Sequence, residues 1–240
     1  MSVPDQVTAA GDAYALAAIN RWLGGIDASE RIAWAIEWLP GEHALSSSFG
    51  AQAAVSLHLA TQVRADIPVI LVDTGYLFPK THDFVEELRA RLALNLKVYR
   101  PRPEAAWDSA RIEGLARGGA KAIADYNRIH KVAPMRRALA ELHVGTWIAG
   151  IRRSQSLSRR DIEFLEIRDG RWKLHPLADW TDRDIWRYLQ QHDLPYHPLW
   201  HEGYVSIGDI HTTQRWQPGM RDEDTRFFGL GRECGLHSVG

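Results

Sequence analysis

Cysteine is almost absent from this chain: Cys234, near the carboxyl end, is the only one in 240 residues. One thiol excludes an intramolecular disulfide and cannot supply the thiolates of a protein-held iron–sulfur cluster. If Cys234 acts, it acts alone or with a partner's thiol. Long apolar runs are missing too. No stretch approaches the roughly 18 residues of a membrane span, and the opening Met-Ser-Val-Pro-Asp lacks the basic-then-apolar order of a secretory signal, so the cytoplasm is the expected compartment. Neither charge dominates. With 29 Lys and Arg against 30 Asp and Glu, the net charge of −1 argues against non-specific binding to nucleic acid or a membrane surface.

What is present reads as an α/β protein. Hydrophobic residues make up 45% of the chain, enough for a real core in one or two domains. Asp27 with Glu30 forms a capping-box pattern for a helix through Trp38, and His43 to Ser47 reads as a short buried strand. Gly50 to Val63 is helical in pattern, and Pro68 to Val72 is a β-branched apolar run, so the two open a βαβ unit. Pro79 starts a helix with Phe84, Val85, Leu88 and Leu92 on one face, before a strand near Lys97 to Tyr99. Pro134 is expected to start another helix to Leu142, with a strand at Thr146 to Ala149. A hairpin follows around Asp169-Gly170, and Thr181 with Asp184 caps a helix to about Gln191. Strands alternating with helices in this way predict a doubly wound, mostly parallel sheet. The expected organisation is a single α/β domain over 1–213, with amino-terminal helices in 1–41, and a mobile tail over 214–240, where periodicity gives way to five glycines and mixed charge.

In an open α/β sheet ligands bind beyond the carboxyl ends of the strands, and the candidate motifs fall there. Ser46, Ser47, Ser48, Phe49 and Gly50 lie between the first strand and its helix, as an anion-binding loop or as a serine-rich helix cap; without a lysine they are not a Walker loop. Asp73, Thr74 and Gly75 follow the second strand, either near the same ligand or as a plain turn. The triplet also occurs in aspartic proteases, which need a second carboxylate and an all-β setting that this chain lacks. Gly150 to Arg160 carries four arginines and three serines in eleven residues, and guanidinium forks match phosphate and sulfate oxygens. A solvated basic loop is the alternative. Lys131 adds a point charge to the site or is an ordinary surface residue. His197, His201 and His211 lack metal-site spacing, so they read as core or surface histidines and no metal site is expected. Cys234 is flanked by glycines, Arg232, Glu233 and His237, surroundings that present a thiol rather than bury it.

Taken in order, Ser-Ser-Ser-Phe-Gly at 46–50, Asp-Thr-Gly-Tyr-Leu-Phe-Pro at 73–79, Lys-Val-x-Pro at 131–134, Gly-Ile-Arg-Arg-Ser-Gln-Ser-Leu-Ser-Arg at 150–159, Tyr-His-Pro-Leu-Trp at 196–200 and Glu-Cys-Gly-Leu-His at 233–237 resemble the assimilatory phosphoadenylyl-sulfate (PAPS) reductases. The resemblance runs from about Glu42 to His237. It implies an adenine-nucleotide α-hydrolase-like fold, a homodimer, and reduction of PAPS to sulfite and adenosine 3′,5′-bisphosphate, with thioredoxin or sometimes glutaredoxin as reductant. It further implies that Cys234 is the nucleophile, supported by Arg232 and His237 and opposed by Glu233. Lys131, Arg152, Arg159 and the 46–50 loop would hold the phosphosulfate, with Asp73, Thr74, Gly75, Gly150, Gln155 and Arg226 also at the substrate.

Two related readings compete. The adenylyl-sulfate (APS) reductase branch typically holds a four-iron cluster through Cys-Cys and Cys-x-x-Cys; Tyr126-Asn127 and Asp209 to Thr212 stand in those places, which favours the 3′-phosphorylated substrate and no cluster. AMP-forming ligases of the wider fold usually carry Ser-Gly-Gly-x-Asp-Ser, which differs from Ser46 to Ala51 here, and they do not need the cysteine tail. A non-catalytic nucleotide sensor would have no use for that tail either.

Overall fold

A computed structural model of the chain describes residues 13–102 and 114–229. Two amino-terminal helices, α1 (Ala13–Leu23) and α2 (Ala28–Trp38), precede the sheet. The capping box of α2 forms as expected: the Glu30 N–H donates to Asp27 Oδ1 and the Asp27 N–H to Glu30 Oε2, both at 2.8 Å. Then come β1 (Glu42–Ser46), α3 (Ala53–Val63), β2 (Pro68–Val72), α4 (Pro79–Leu92) and β3 (Asn95–Tyr99). The second half holds α5 (Leu115–Asn127), α6 (Ala133–Glu141), β4 (Val144–Ala149), β5 (Leu165–Arg168), β6 (Arg171–Leu174) and α7 (Asp182–Gln191), the last capped by Thr181 with Asp184.

The six strands lie in the order β3-β2-β1-β4-β6-β5, parallel except for β5, which pairs antiparallel with β6 through the turn at Asp169 and Gly170. This is the doubly wound, mostly parallel sheet that the alternating pattern predicts. Alternate residues of the inner strands serve two cores. Leu45, Val69, Leu71 and Ile148 face the larger one, with α1 to α4 and α7, while Ala44, Ile70 and Trp147 face a smaller one with Met135, Ala138 and Leu139 of α6. Burial on both faces makes the strands read as continuous apolar runs.

Two expectations need correction, and a third gains a detail. Helix α3 begins at Ala53 rather than Gly50, because the chain between them leaves the helical path to form the loop after β1. Pro134 lies in the first turn of α6, as expected, but that helix does not start from a loop. A π-helical turn, Arg128–Val132, joins α5 to α6, with the Ala133 N–H bonded to the Arg128 carbonyl. Pro134 has no N–H to give the carbonyl four residues back, and its ring crowds that position; the wider turn accommodates it. The second correction concerns the segment expected to leave the domain at Gln214, which stays packed as far as Gly229. Thr213 bridges Arg226, the Gln214 N–H donates to the Thr225 carbonyl at 3.0 Å, and Phe227 is buried. Phe227 anchors this stretch without any periodic neighbours for a pattern to show.

Candidate active site

Strand order reverses between β1 and β4, so the loops that follow them part at the carboxyl edge of the sheet. A cleft of about 270 Å³ opens there. The loop after β1 supplies Ser46, Ser47, Ser48 and Gly50 to its wall. The Trp147 indole N–H donates to Ser46 Oγ at 2.7 Å, and the Phe49 backbone N–H donates to Ser47 Oγ at 3.1 Å. Each hydroxyl oxygen is thereby an acceptor within the wall, which leaves its own O–H to donate to a ligand. Phe49 does not line the cleft. Its ring is fully buried in the larger core, and its backbone sits at φ 49, a left-handed conformation that bulky residues rarely adopt.

The loop after β4 supplies Gly150, Arg152, Gln155 and Arg159. A Cβ on Gly150 would lie 2.7 Å from the Ser56 side chain, so glycine is what lets this loop cross α3 closely. Arg152 is 4% exposed and pairs with Asp182 at 2.9 Å, with Gln52 as a further acceptor. Gln155 Oε1 accepts from both the Arg152 backbone and the Arg159 guanidinium, drawing the loop into a compact turn. The other two arginines of the motif lie elsewhere: Arg153 stacks on Phe164, 4.8 Å from the ring centroid, and Arg160 is exposed. Composition alone does not distinguish the four.

After β2, Thr74 lines the cleft, whereas Asp73 and Gly75 do not. The Asp73 carboxylate accepts from the Gly75 N–H at 3.0 Å and from Arg100 at 2.9 Å, so it closes its own turn. Of that triplet, the turn reading holds for Asp73 and Gly75.

Lys131 is 7% exposed, which overturns the surface-residue alternative. The π turn directs its ammonium to the cleft, where Nζ lies 2.6 Å from Asp209 Oδ2. Thr74 Oγ1 donates to Asp209 Oδ1 at 2.5 Å. Burial works to raise the pKa of Asp209, but Lys131, Thr74 and the nearby Arg226 outweigh it and hold the carboxyl below the usual range. Arg226 also lines the cleft, its guanidinium filling the space that a Cβ on Gly208 would need and lying 5.1 Å from the Phe227 ring centroid. Sequence reasoning did not pick out Asp209 as a site residue. Its one signal is a carboxylate set between Ile207 and Ile210.

Tyr126, Asn127, Asp209 and Thr212 are all buried, and around them Tyr126 stacks on His130 and meets His211 edge-on at 5.0 Å. Among the described residues no three His, Cys, Asp or Glu side chains gather as a metal site. His197 is a core residue, its Nε2 2.9 Å from Thr81 Oγ1, and His201 is exposed. Arg232, Cys234 and His237 lie outside the described residues. Of the expected substrate residues, the fold thus brings together Ser46, Ser47, Ser48, Gly50, Thr74, Lys131, Gly150, Arg152, Gln155, Arg159 and Arg226. The result is a cleft lined by serine and threonine hydroxyls and four cations, set against the carboxylates of Asp182, Asp209 and Asp222, and suited to an anion.

Residues 42–215 match the family model of the phosphoadenosine phosphosulfate reductase domain. The phosphoadenosine 5′-phosphosulfate reductase of Xanthomonas oryzae pv. oryzae is 61% identical over 92% of each chain. Among solved structures, the phosphoadenylyl-sulfate reductase of Candida auris in its phosphate complex aligns with 86% of this chain and all of its own, with a TM-score of 0.73 and 25% identity. The FMN adenylyltransferase of Candida glabrata, 18% identical with a TM-score of 0.54 over 90% of this chain and 71% of its own, shares the fold.

Proposed function

Because the chain belongs to the phosphoadenosine phosphosulfate reductase family, we propose that it reduces 3′-phosphoadenylyl sulfate to sulfite and adenosine 3′,5′-bisphosphate in sulfate assimilation. The observation that carries this reading is the cleft at the β1/β4 switch point, where Ser46, Ser47 and the cations Lys131, Arg152, Arg159 and Arg226 converge.

The Cys234 thiolate attacks the sulfur of the bound phosphosulfate. An S–S bond forms, the S–O bond to the 5′-phosphate breaks, and its electron pair leaves on the phosphate oxygen of adenosine 3′,5′-bisphosphate. The enzyme is left as S-sulfocysteine. A thiolate of reduced thioredoxin, or of glutaredoxin, then attacks Cys234 Sγ and expels sulfite; its second thiol resolves the mixed disulfide, so the reductant supplies both electrons and becomes a disulfide. An ordinary thiol is only slightly ionised at neutral pH, and Arg232 and His237 favour the thiolate against Glu233. Lys131, Arg226, Arg152 and Arg159 offset the charge that builds on the leaving phosphate, and the Ser46 and Ser47 hydroxyls donate to its oxygens. Tyr126, Asn127, Asp209 and Thr212 offer no thiolate to hold an iron–sulfur cluster, and both electrons come from the dithiol reductant. The enzyme acts in the cytoplasm, as a homodimer.

The test is mass spectrometry of reduced protein mixed with PAPS in the absence of thioredoxin. A sulfonate adduct on the Cys234 peptide, lost with release of sulfite when reduced thioredoxin is added, is the expected result. An unmodified cysteine in the nucleotide-bound protein overturns the assignment, and faster turnover of APS than of PAPS overturns the substrate.

A further inference from the structure

Asp209 is a buried carboxylate in the wall of an anion site, and the reaction above gives it no part. We propose that Asp209 is a positioning residue: it holds the Lys131 ammonium where negative charge develops on the departing phosphate, and so acts through Lys131 rather than on the substrate. This inference rests on the functional reading above.

A lysine is a point charge on a four-carbon stem and holds no geometry by itself. Here the stem is buried, and Nζ is 2.6 Å from Asp209, 5.0 Å from the Phe227 ring centroid and 5.5 Å from that of Tyr126. The carboxylate and two aromatic faces leave the cleft as the open side of the ammonium. Asp209 is itself fixed. Thr74 donates to its other oxygen, its backbone bridges Leu77, and the Ile210 N–H beside it donates to the Tyr76 carbonyl at 2.9 Å.

A negative charge in this wall also opposes the binding of an anion, because it lies among the groups that attract one. A carboxylate kept there despite that cost is explained if it contributes more to the transition state than it removes from ground-state binding. The consequence is a split between affinity and rate that general damage to the site would not give.

Asp209→Asn keeps the size and an oxygen for Thr74 but removes the charge that pins Lys131. Its affinity for adenosine 3′,5′-bisphosphate is expected to be unchanged or tighter. The single-turnover rate of Cys234 sulfonation by PAPS, without thioredoxin, is expected to fall about 10- to 100-fold, the scale of a misplacement of about 1 Å. In a Lys131→Met background the same substitution should cost no further rate. Thr74→Val unties the carboxylate without neutralising it, is expected to give a smaller split in the same direction, and carries the test if Asp209→Asn does not melt cooperatively. Rate and affinity falling together, an unchanged rate, or a further loss in the Lys131→Met background overturns the positioning role while wild-type Cys234 is still sulfonated. No adduct on the wild type overturns the functional reading instead, and this inference with it.

Discussion

At Phe49 a local cost and a tertiary gain meet. Its positive φ is unfavourable for an aromatic residue, of order 1–3 kcal/mol. Burial of the ring beneath the loop offsets this and turns the neighbouring serines towards the cleft. Phe49→Ala removes the anchor and leaves a cavity, so it is expected to destabilise the fold by about 3–5 kcal/mol. It should also weaken binding of adenosine 3′,5′-bisphosphate, because Ser46 to Ser48 lose their support. Chemical denaturation and calorimetric titration check the two effects separately; full stability with full affinity would show that the loop holds its shape without the ring. Phe49 was legible in sequence as part of a motif, but its task was not, since nothing local distinguishes a ligand-facing phenylalanine from a core one.

The β5–β6 hairpin shows what an element adds. Its strands and turn were readable from Asp169-Gly170 and the flanking apolar runs, yet it also carries a charge cluster at the sheet. Lys173 is fully buried, with Nζ 3.3 Å from Glu166 Oε1 and 4.5 Å from the Trp147 ring centroid, and His175 Nε2 lies 3.2 Å from the same oxygen. Burial pushes Lys173 down to about 8, against the opposing pull of Glu166. Trp147 is the residue that donates to Ser46, so the hairpin buttresses the site indirectly. Glu166→Gln strands a buried ammonium and is expected to cost about 1–3 kcal/mol, less than for a fully buried pair because Glu166 is partly exposed. Adding Lys173→Met should restore most of that loss, as read from the midpoint of a urea transition. A double variant no more stable than the single one would mean the ammonium is not what the carboxylate serves.

Over the whole molecule, buried and half-buried imidazoles among the described residues set the response to acid. Desolvation is the largest influence on His43, His58, His130, His175, His197 and His211, and it lowers each below 6.5, His197 to about 4. In that window the unfolded chain binds protons that the folded chain refuses, so stability is full above about pH 6.5 and declines as pH falls towards 4. The depressed carboxyls act later. Burial works to raise Glu166, but His175 and Lys173 together outweigh it and hold it at about 2; Glu166 and Asp209 keep their stabilising effect above the ordinary carboxylate range and lose it only in stronger acid. Melting temperature is therefore expected to drop between about pH 7 and 4.5; a flat profile there would contradict the burial of these rings in their neutral form.

The sequence by itself determined the alternation of strands and helices, the parallel sheet, the two capping boxes, and the edge of the sheet at which Ser46 to Gly50 and Gly150 to Arg159 would meet. These follow from periodicity, β-branching and short-range hydrogen bonding, which act over a few residues. Only the tertiary structure decided that Arg153 packs on Phe164, that Asp73 closes a turn rather than lining the cleft, and that Asp209 pairs with Lys131. Asp209 and Lys131 are far apart in the chain, and a buried charge acquires its meaning from whichever partner the fold brings within hydrogen-bonding distance.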